Sequence, residues 1–101
     1  MSPRKYACKT DRNQQEIMDA FRKLGATVQD LSACGKGVPD LLVGYNGLNY
    51  LCEVKDHLKP PSARKLTPDQ MAWHGEWLGQ VCVVETVEDV EKIIKKLKLG
   101  L

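Results

Sequence analysis

Two apolar runs, residues 39–45 and 48–55, are separated only by the dipeptide Asn46-Gly47. A two-residue reversal of the type that suits twisted strands needs positive φ at both central positions. Asparagine and glycine accept that conformation, so the runs are read as the strands of an antiparallel hairpin. With these two residues at the turn, Tyr45 faces Leu48 and, at the far end of the ladder, Asp40 faces Glu53. Partners in such a ladder share a face, with Cβ atoms ~5 Å apart. Lys55, two residues past Glu53, returns to the same face by the strand period. The acids are set in apolar sequence, Asp40 between Val38-Pro39 and Leu41-Leu42-Val43, Glu53 between Leu51-Cys52 and Val54. Like charges held opposite one another in such surroundings repel, and partial desolvation sharpens the cost. From the residues alone, two things offset it: Lys55 as a structural ion pair, or a divalent cation of the oxygen-preferring kind, Mg²⁺ or Mn²⁺.

The flanking sequence supplies helices and two more strands. Residues 11–24 read as an amphipathic helix, with Asp11 as cap, Gln14 completing a capping box, Ile17, Ala20, Phe21 and Leu24 on one face, and Gly25 as the stop. Residues 26–31 form a short strand, and Ser32-Ala33-Cys34-Gly35-Lys36-Gly37 a loop whose glycines allow close backbone approach. After a basic loop at 57–65, Thr67-Pro68-Asp69-Gln70 opens a second helix: cap, proline at the first helical position, and glutamine closing the box. Val81-Cys82-Val83-Val84 reads as a strand buried on both faces. Thr86 caps a last helix that carries Val87, Val90, Ile93, Ile94 and Leu97 inward. The order α-β-β-β-α-β-α predicts an α/β fold in one domain, 1–101, with a mixed sheet and helices on both faces.

At 101 residues and 11.3 kDa, with 43% hydrophobic and 28% charged residues, the chain has the composition of an ordinary globular domain. No apolar stretch is long enough for a bilayer span and the start lacks a signal-peptide core, so a cytoplasmic protein without membrane association is expected. Cys8, Cys34, Cys52 and Cys82 show no C-x-x-C spacing, and buried free thiols are expected. Fifteen Lys and Arg against thirteen Asp and Glu give only +2. The distribution is more telling: Arg4, Lys5, Lys9 and Arg12 crowd the N-terminus, Lys55, Lys59, Arg64 and Lys65 the middle, and Lys92, Lys95, Lys96 and Lys98 the end. Such segments form either a phosphate track or solvated surface.

Taken together, Pro39-Asp40 followed by Glu53-Val54-Lys55 in this element order resembles the PD-(D/E)XK nuclease core, of the restriction-endonuclease kind. The chain is more closely similar to the small stand-alone VRR-NUC proteins of phages. Those share an N-terminal helix with a glutamate, a Gly-x-Pro-Asp strand, an E-x-K strand and a helix bearing Gln-x-x-Trp. The matching residues here are Glu16, Gly37-Val38-Pro39-Asp40, Glu53-Val54-Lys55 and Gln70-Met71-Ala72-Trp73. One departure is that Asp56 and a basic loop stand where the family often has glycine and proline after the motif lysine.

The resemblance implies a metal-dependent, structure-specific endonuclease that hydrolyses DNA phosphodiesters. Asp40, Glu53 and the Val54 carbonyl would hold Mg²⁺ or Mn²⁺, and Lys55 would serve the attacking water and the transition-state charge. It further implies a homodimer acting on branched DNA such as Holliday junctions, although ordinary duplex is equally compatible with the residues. Two-fold symmetry would supply the paired sites that a junction requires.

Glu16 borders the apolar stripe of its helix, and the resemblance gives it a site role that the residues alone do not. Gln70 is claimed by both the capping box and the site, two uses that one side chain is not expected to serve at once. Lys36, Lys59, Arg64 and Lys65 flank the acids and are the expected phosphate contacts. Trp73 and Trp77, four apart on one helix face, are expected to pack in the core rather than to stack on bases. His74 has no partner in sequence and is read as surface or structural. The last helix packs on its own sheet, or else serves the dimer. The competing reading of the whole chain is a non-catalytic nucleic-acid-binding module, and beyond it a small structural protein with an internal salt bridge.

Overall fold

The computed structural model describes residues 10–101; Arg4, Lys5, Cys8 and Lys9 lie outside them. The elements are α1 (Gln14–Lys23), β1 (Thr27–Asp30), β2 (Leu41–Tyr45), β3 (Leu48–Val54), α2 (Pro68–Glu76), β4 (Val81–Val84) and α3 (Val87–Lys98). Single 3₁₀ turns stand at Ser32–Cys34 and Pro61–Ala63. The strands form one sheet in the order β1-β2-β3-β4. The first two pairings are antiparallel and β3 runs parallel to β4, with α2 as the crossover. The fold is therefore the mixed α/β arrangement expected from the element order.

The hairpin turns where the sequence places it. Asn46 and Gly47 have φ of 53° and 74°, and Tyr45 pairs with Leu48. The ladder runs to Leu41 opposite Cys52, leaving Asp40 and Glu53 as the next opposed positions. By the strand period, Leu41, Val43, Tyr50, Cys52, Val54 and Val84 share one face of the sheet. All six are buried against Ile17, Met18 and Phe21 of α1 and Val90, Ile93, Ile94 and Leu97 of α3. The apolar stripe of α3 is thus consumed by the chain's own core. Asp40, Glu53 and Lys55 project from the opposite face, where α2 lies.

Several local expectations are corrected. Helix α1 starts at Gln14, and its N-cap Asn13 makes no side-chain capping bond. The Asp11 carboxylate, two residues before the N-cap, instead accepts from Lys59 Nζ at 2.7 Å. Leu24 is exposed and Met18 takes its place in the core. Strand β4 is not covered on both faces: it is an edge strand, Val84 is buried, and Val83 stands exposed on the α2 side. Of the cysteines, Cys52 is buried, Cys82 half-buried and Cys34 exposed, all as free thiols. Among the described residues no helix is long and apolar enough to cross a membrane.

Candidate active site

Three backbone features bring the acids together. The hairpin register sets Asp40 beside Glu53. The backbone N–H of Val54 donates to Asp40 Oδ2 at 2.8 Å, fixing that carboxylate against β3. In an antiparallel pairing a residue's N–H and C=O face the same neighbouring strand, so the Val54 carbonyl lies on the Asp40 side as well. Lys55 is then anchored twice through its main chain. Its N–H donates to the Val84 carbonyl at 3.0 Å, and its carbonyl accepts from Asn13 Nδ2 at 3.1 Å.

Helix α2 completes the group. Thr67 caps it and Pro68 opens it, as the sequence indicates. Gln70 serves both expected uses at once. Its Oε1 accepts from the Thr67 N–H at 2.9 Å and from Lys55 Nζ at 2.8 Å, while its Nε2 donates to Glu53 Oε2 at 2.9 Å. A carboxamide has two lone pairs on one side and two protons on the other, enough for all three bonds. Lys55 Nζ stands 3.9 Å from the same Glu53 oxygen.

The electrostatics of the pair are unfavourable as they stand. Glu53 is 2% exposed, and burial first, then the Asp40 charge, pushes its pKa up to about 9. Burial likewise raises Asp40, against the pull of the Val54 N–H. Glu53 Oε1 is buried with no hydrogen-bond partner among the described residues. A buried, unpartnered carboxylate oxygen beside a second carboxylate is the donor chemistry of a hard divalent cation. No third acid, histidine or cysteine joins them at ligating range among the described residues. A cation held by two carboxylates and a carbonyl keeps the water ligands that Mg²⁺ prefers, so the residues fit the group.

These side chains line a cavity of about 470 Å³ whose charged members are Asp11, Lys36, Asp40, Glu53, Lys55, Lys59 and Asp69. Gly35-Lys36-Gly37 forms one wall. Val38 N–H closes a turn onto the Gly35 carbonyl at 3.1 Å, with φ of 56° at Lys36 and 83° at Gly37. Gly37 lies against the Asp69 carbonyl with no room for a Cβ, which is the close approach that the loop glycines promised.

Other expected site residues go elsewhere. Glu16 is exposed and does not line the cavity; the acid that does so from the start of α1 is Asp11. Arg64 faces Glu85 at 3.5 Å, and Lys65 is exposed away from the cavity. Lys36 and Lys59 stand in its wall. Trp73 and Trp77 are not core residues. Helix α2 buries no side chain, its side-chain bonds to Glu53 and Lys55 run through Gln70, and the two rings stack on each other. His74 is half-buried on α2, with Nε2 enclosed and unpartnered among the described residues, and burial followed by the Lys55 charge lowers its pKa.

Sequence reasoning missed the support behind the motif lysine. Asn13, 2% exposed, bridges the carbonyls of Lys55 and, at 2.9 Å, of Glu85, tying the ends of β3 and β4 to α1. Arg12 grips the buried Asp56 with two bonds of 2.9 and 3.1 Å, and Asp56 Oδ1 also accepts the Leu58 N–H. The acid that departs from the family pattern thus anchors the basic loop. The signal available was a run of polar residues, Asp11-Arg12-Asn13, ahead of the first apolar helix position; it also reads as a cap.

In comparisons with known proteins, the chain is similar to a solved structure described as a VRR_NUC domain. The two are 34% identical over 88% of this chain and 97% of that one, with a TM-score of 0.62. No family model matches the chain, and no curated protein matches it.

Proposed function

Because the chain belongs to the VRR-NUC family of nuclease-type domains, we propose that it is a Mg²⁺- or Mn²⁺-dependent endonuclease that hydrolyses phosphodiester bonds of DNA, branched DNA such as Holliday junctions in particular. The observation that carries this reading is the half-buried Asp40 beside the buried Glu53 with its unpartnered oxygen, set within reach of Lys55 and Gln70. A non-catalytic binding module gives no reason to hold two acids in that arrangement.

In this mechanism Asp40, Glu53 and the Val54 carbonyl would hold the cation, which would supply Lewis acidity and lower the pKa of water. Lys55 orients the attacking water and offsets the negative charge that builds on the phosphoryl oxygens as the bond to the leaving oxygen breaks. Gln70 fixes the Lys55 ammonium and one Glu53 oxygen relative to each other, so that both are in place before substrate arrives. Lys36 and Lys59 contact the neighbouring phosphates; Lys59 exchanges its Asp11 partner for one of them. The cavity wall carries four acids and three lysines, so a bound cation would favour the entry of a phosphate.

A homodimer, acting in the cytoplasm, belongs to the same proposal, and its contact runs through a surface other than the buried stripe of α3. The test is incubation of the purified protein with linear and branched DNAs, with and without Mg²⁺ or Mn²⁺. Cleavage is expected only with metal and not with Asp40→Ala or Lys55→Ala. Undiminished cleavage by either variant would remove these roles.

A further inference from the structure

Helix α2 carries more than Gln70 away from the cavity. At 100° per residue, Gln70, Trp73 and Trp77 fall within about 60° of one another around the axis, and Trp77 lies about 10 Å beyond Gln70 along it. The rings of Trp73 and Trp77 stack with centroids 4.7 Å apart and planes 19° from parallel. Trp73 is half-buried and forms the inner ring; Trp77 is 45% exposed and forms the outer one. A partly exposed indole about 10 Å from a cavity of about 470 Å³ that carries three lysines, and four acids for a cation to offset, matches a polymer with charge along its backbone and flat apolar groups beside it. Single-stranded nucleic acid has that chemistry.

We propose that Trp77 is a stacking platform for an unpaired base of the strand whose phosphate occupies the Asp40–Glu53 cavity, which makes it a specificity-determining residue. The inference rests on the nuclease reading of that cavity and deepens it. The 10 Å from Gln70 spans about three stacked nucleotides at 3.4 Å each, fewer in an extended strand. A base inside an intact duplex is covered on both faces and cannot reach the indole. A base that is unpaired, or has lost a stacking neighbour at a branch point, is extruded at least cost. Selection of branched over continuous DNA then follows from α2 rather than from the metal site. Trp73 stacked on one face of the Trp77 ring, and the Gly79 backbone close to its Nε1 edge, hold the indole in place.

The chain's only two tryptophans are this pair, so intrinsic emission reports the platform directly. The full chain, with Ca²⁺ to neutralise the carboxylates, is titrated with a duplex bearing a short thymidine flap and with a blunt duplex of equal length. The flap DNA is expected to quench the emission and the blunt duplex is not. Trp77→Ala is expected to weaken flap binding by roughly 5- to 150-fold and to erase most of the preference for flap over duplex. Trp77→Phe should keep most of that preference. Equal quenching by both DNAs, or a preference that survives Trp77→Ala, would overturn the proposal. So would Trp77→Ala converting a dimer to a monomer in sedimentation while the preference persists, since the exposed Met71, Trp77 and Leu78 would then be a contact for a second copy. Failure of the nuclease reading looks different: the wild type would cut neither DNA with Mg²⁺ or Mn²⁺. Failure of the platform alone leaves both DNAs cut and bound equally well.

Discussion

On one face of the sheet, Leu41, Val43, Cys52, Val54 and Val84 disappear beneath α1 and α3; on the other, Asp40, Glu53 and Lys55 meet a helix that buries nothing of its own. The first face is apolar, continuous and closed. The second carries Leu42, Leu51, Val81 and Val83 beside the acids, is open at Val83 of β4, and is joined to α2 by directed hydrogen bonds through Gln70. The difference teaches where stability is made and where it is given up. Burial of apolar area on the α1–α3 side supports a half-buried and a buried acid held side by side on the α2 side, an arrangement that costs stability while both are charged.

Breaking the closed face should have the largest effect. Phe21 is fully buried, and Phe21→Ala is expected to lose about 3–5 kcal/mol, read as a large fall in the midpoint of urea unfolding. Breaking the open face should cost chemistry instead of fold. Lys55→Ala is expected to lower the cleavage rate by on the order of 10²–10³-fold with a much smaller fall in the unfolding midpoint than Phe21→Ala gives, measured by gel assay and by urea titration in parallel. A collapse of stability in this variant would erase the contrast between the faces.

A pH series sharpens the same contrast. The folded-state pKa of Glu53, about 9, lies above the ordinary 4.5, so between those values the folded protein holds a proton that the unfolded chain has released. Stability of the metal-free protein should therefore fall as pH rises from about 4.5 to about 9, and Glu53→Gln should flatten that slope. Thermal unfolding in EDTA across this range is the measurement, and an unchanged slope in the variant would assign it to other groups. The smallest effects belong to the margins. Thr67→Ala should cost about 1 kcal/mol through the lost cap of α2, and Glu16→Ala should change neither cleavage nor stability measurably, in contrast to any acid of the cavity.

The closed face was legible in the sequence because periodicity and turn chemistry report it directly. Asn46-Gly47 fixed the register, the register placed Asp40 against Glu53, and Thr67-Pro68-Asp69-Gln70 marked the helix that brings Gln70 to them. What escaped depends on contacts between elements distant in the chain. Asn13 reaches residues 42 and 72 positions away, and nothing in its neighbourhood distinguishes it from an ordinary cap. Glu16 looked eligible by type and helix, yet the chain enters α1 in such a way that Asp11 faces the cavity and Glu16 faces solvent. The tryptophans were misplaced for a related reason. Spacing of four gives a shared helix face, but not whether the sheet beneath extends far enough to cover it.

The proposed function stands or falls on whether Asp40 and Glu53 hold a divalent cation. Titration calorimetry with Mn²⁺, repeated at pH 7 in buffers of different ionisation enthalpy, tests it most directly, because a cation that enters this site displaces the proton held on Glu53. Saturable binding with release of a proton is expected of the wild type, and neither of Glu53→Gln. No binding by the wild type, or binding by Glu53→Gln with the same affinity and the same proton release, would contradict it.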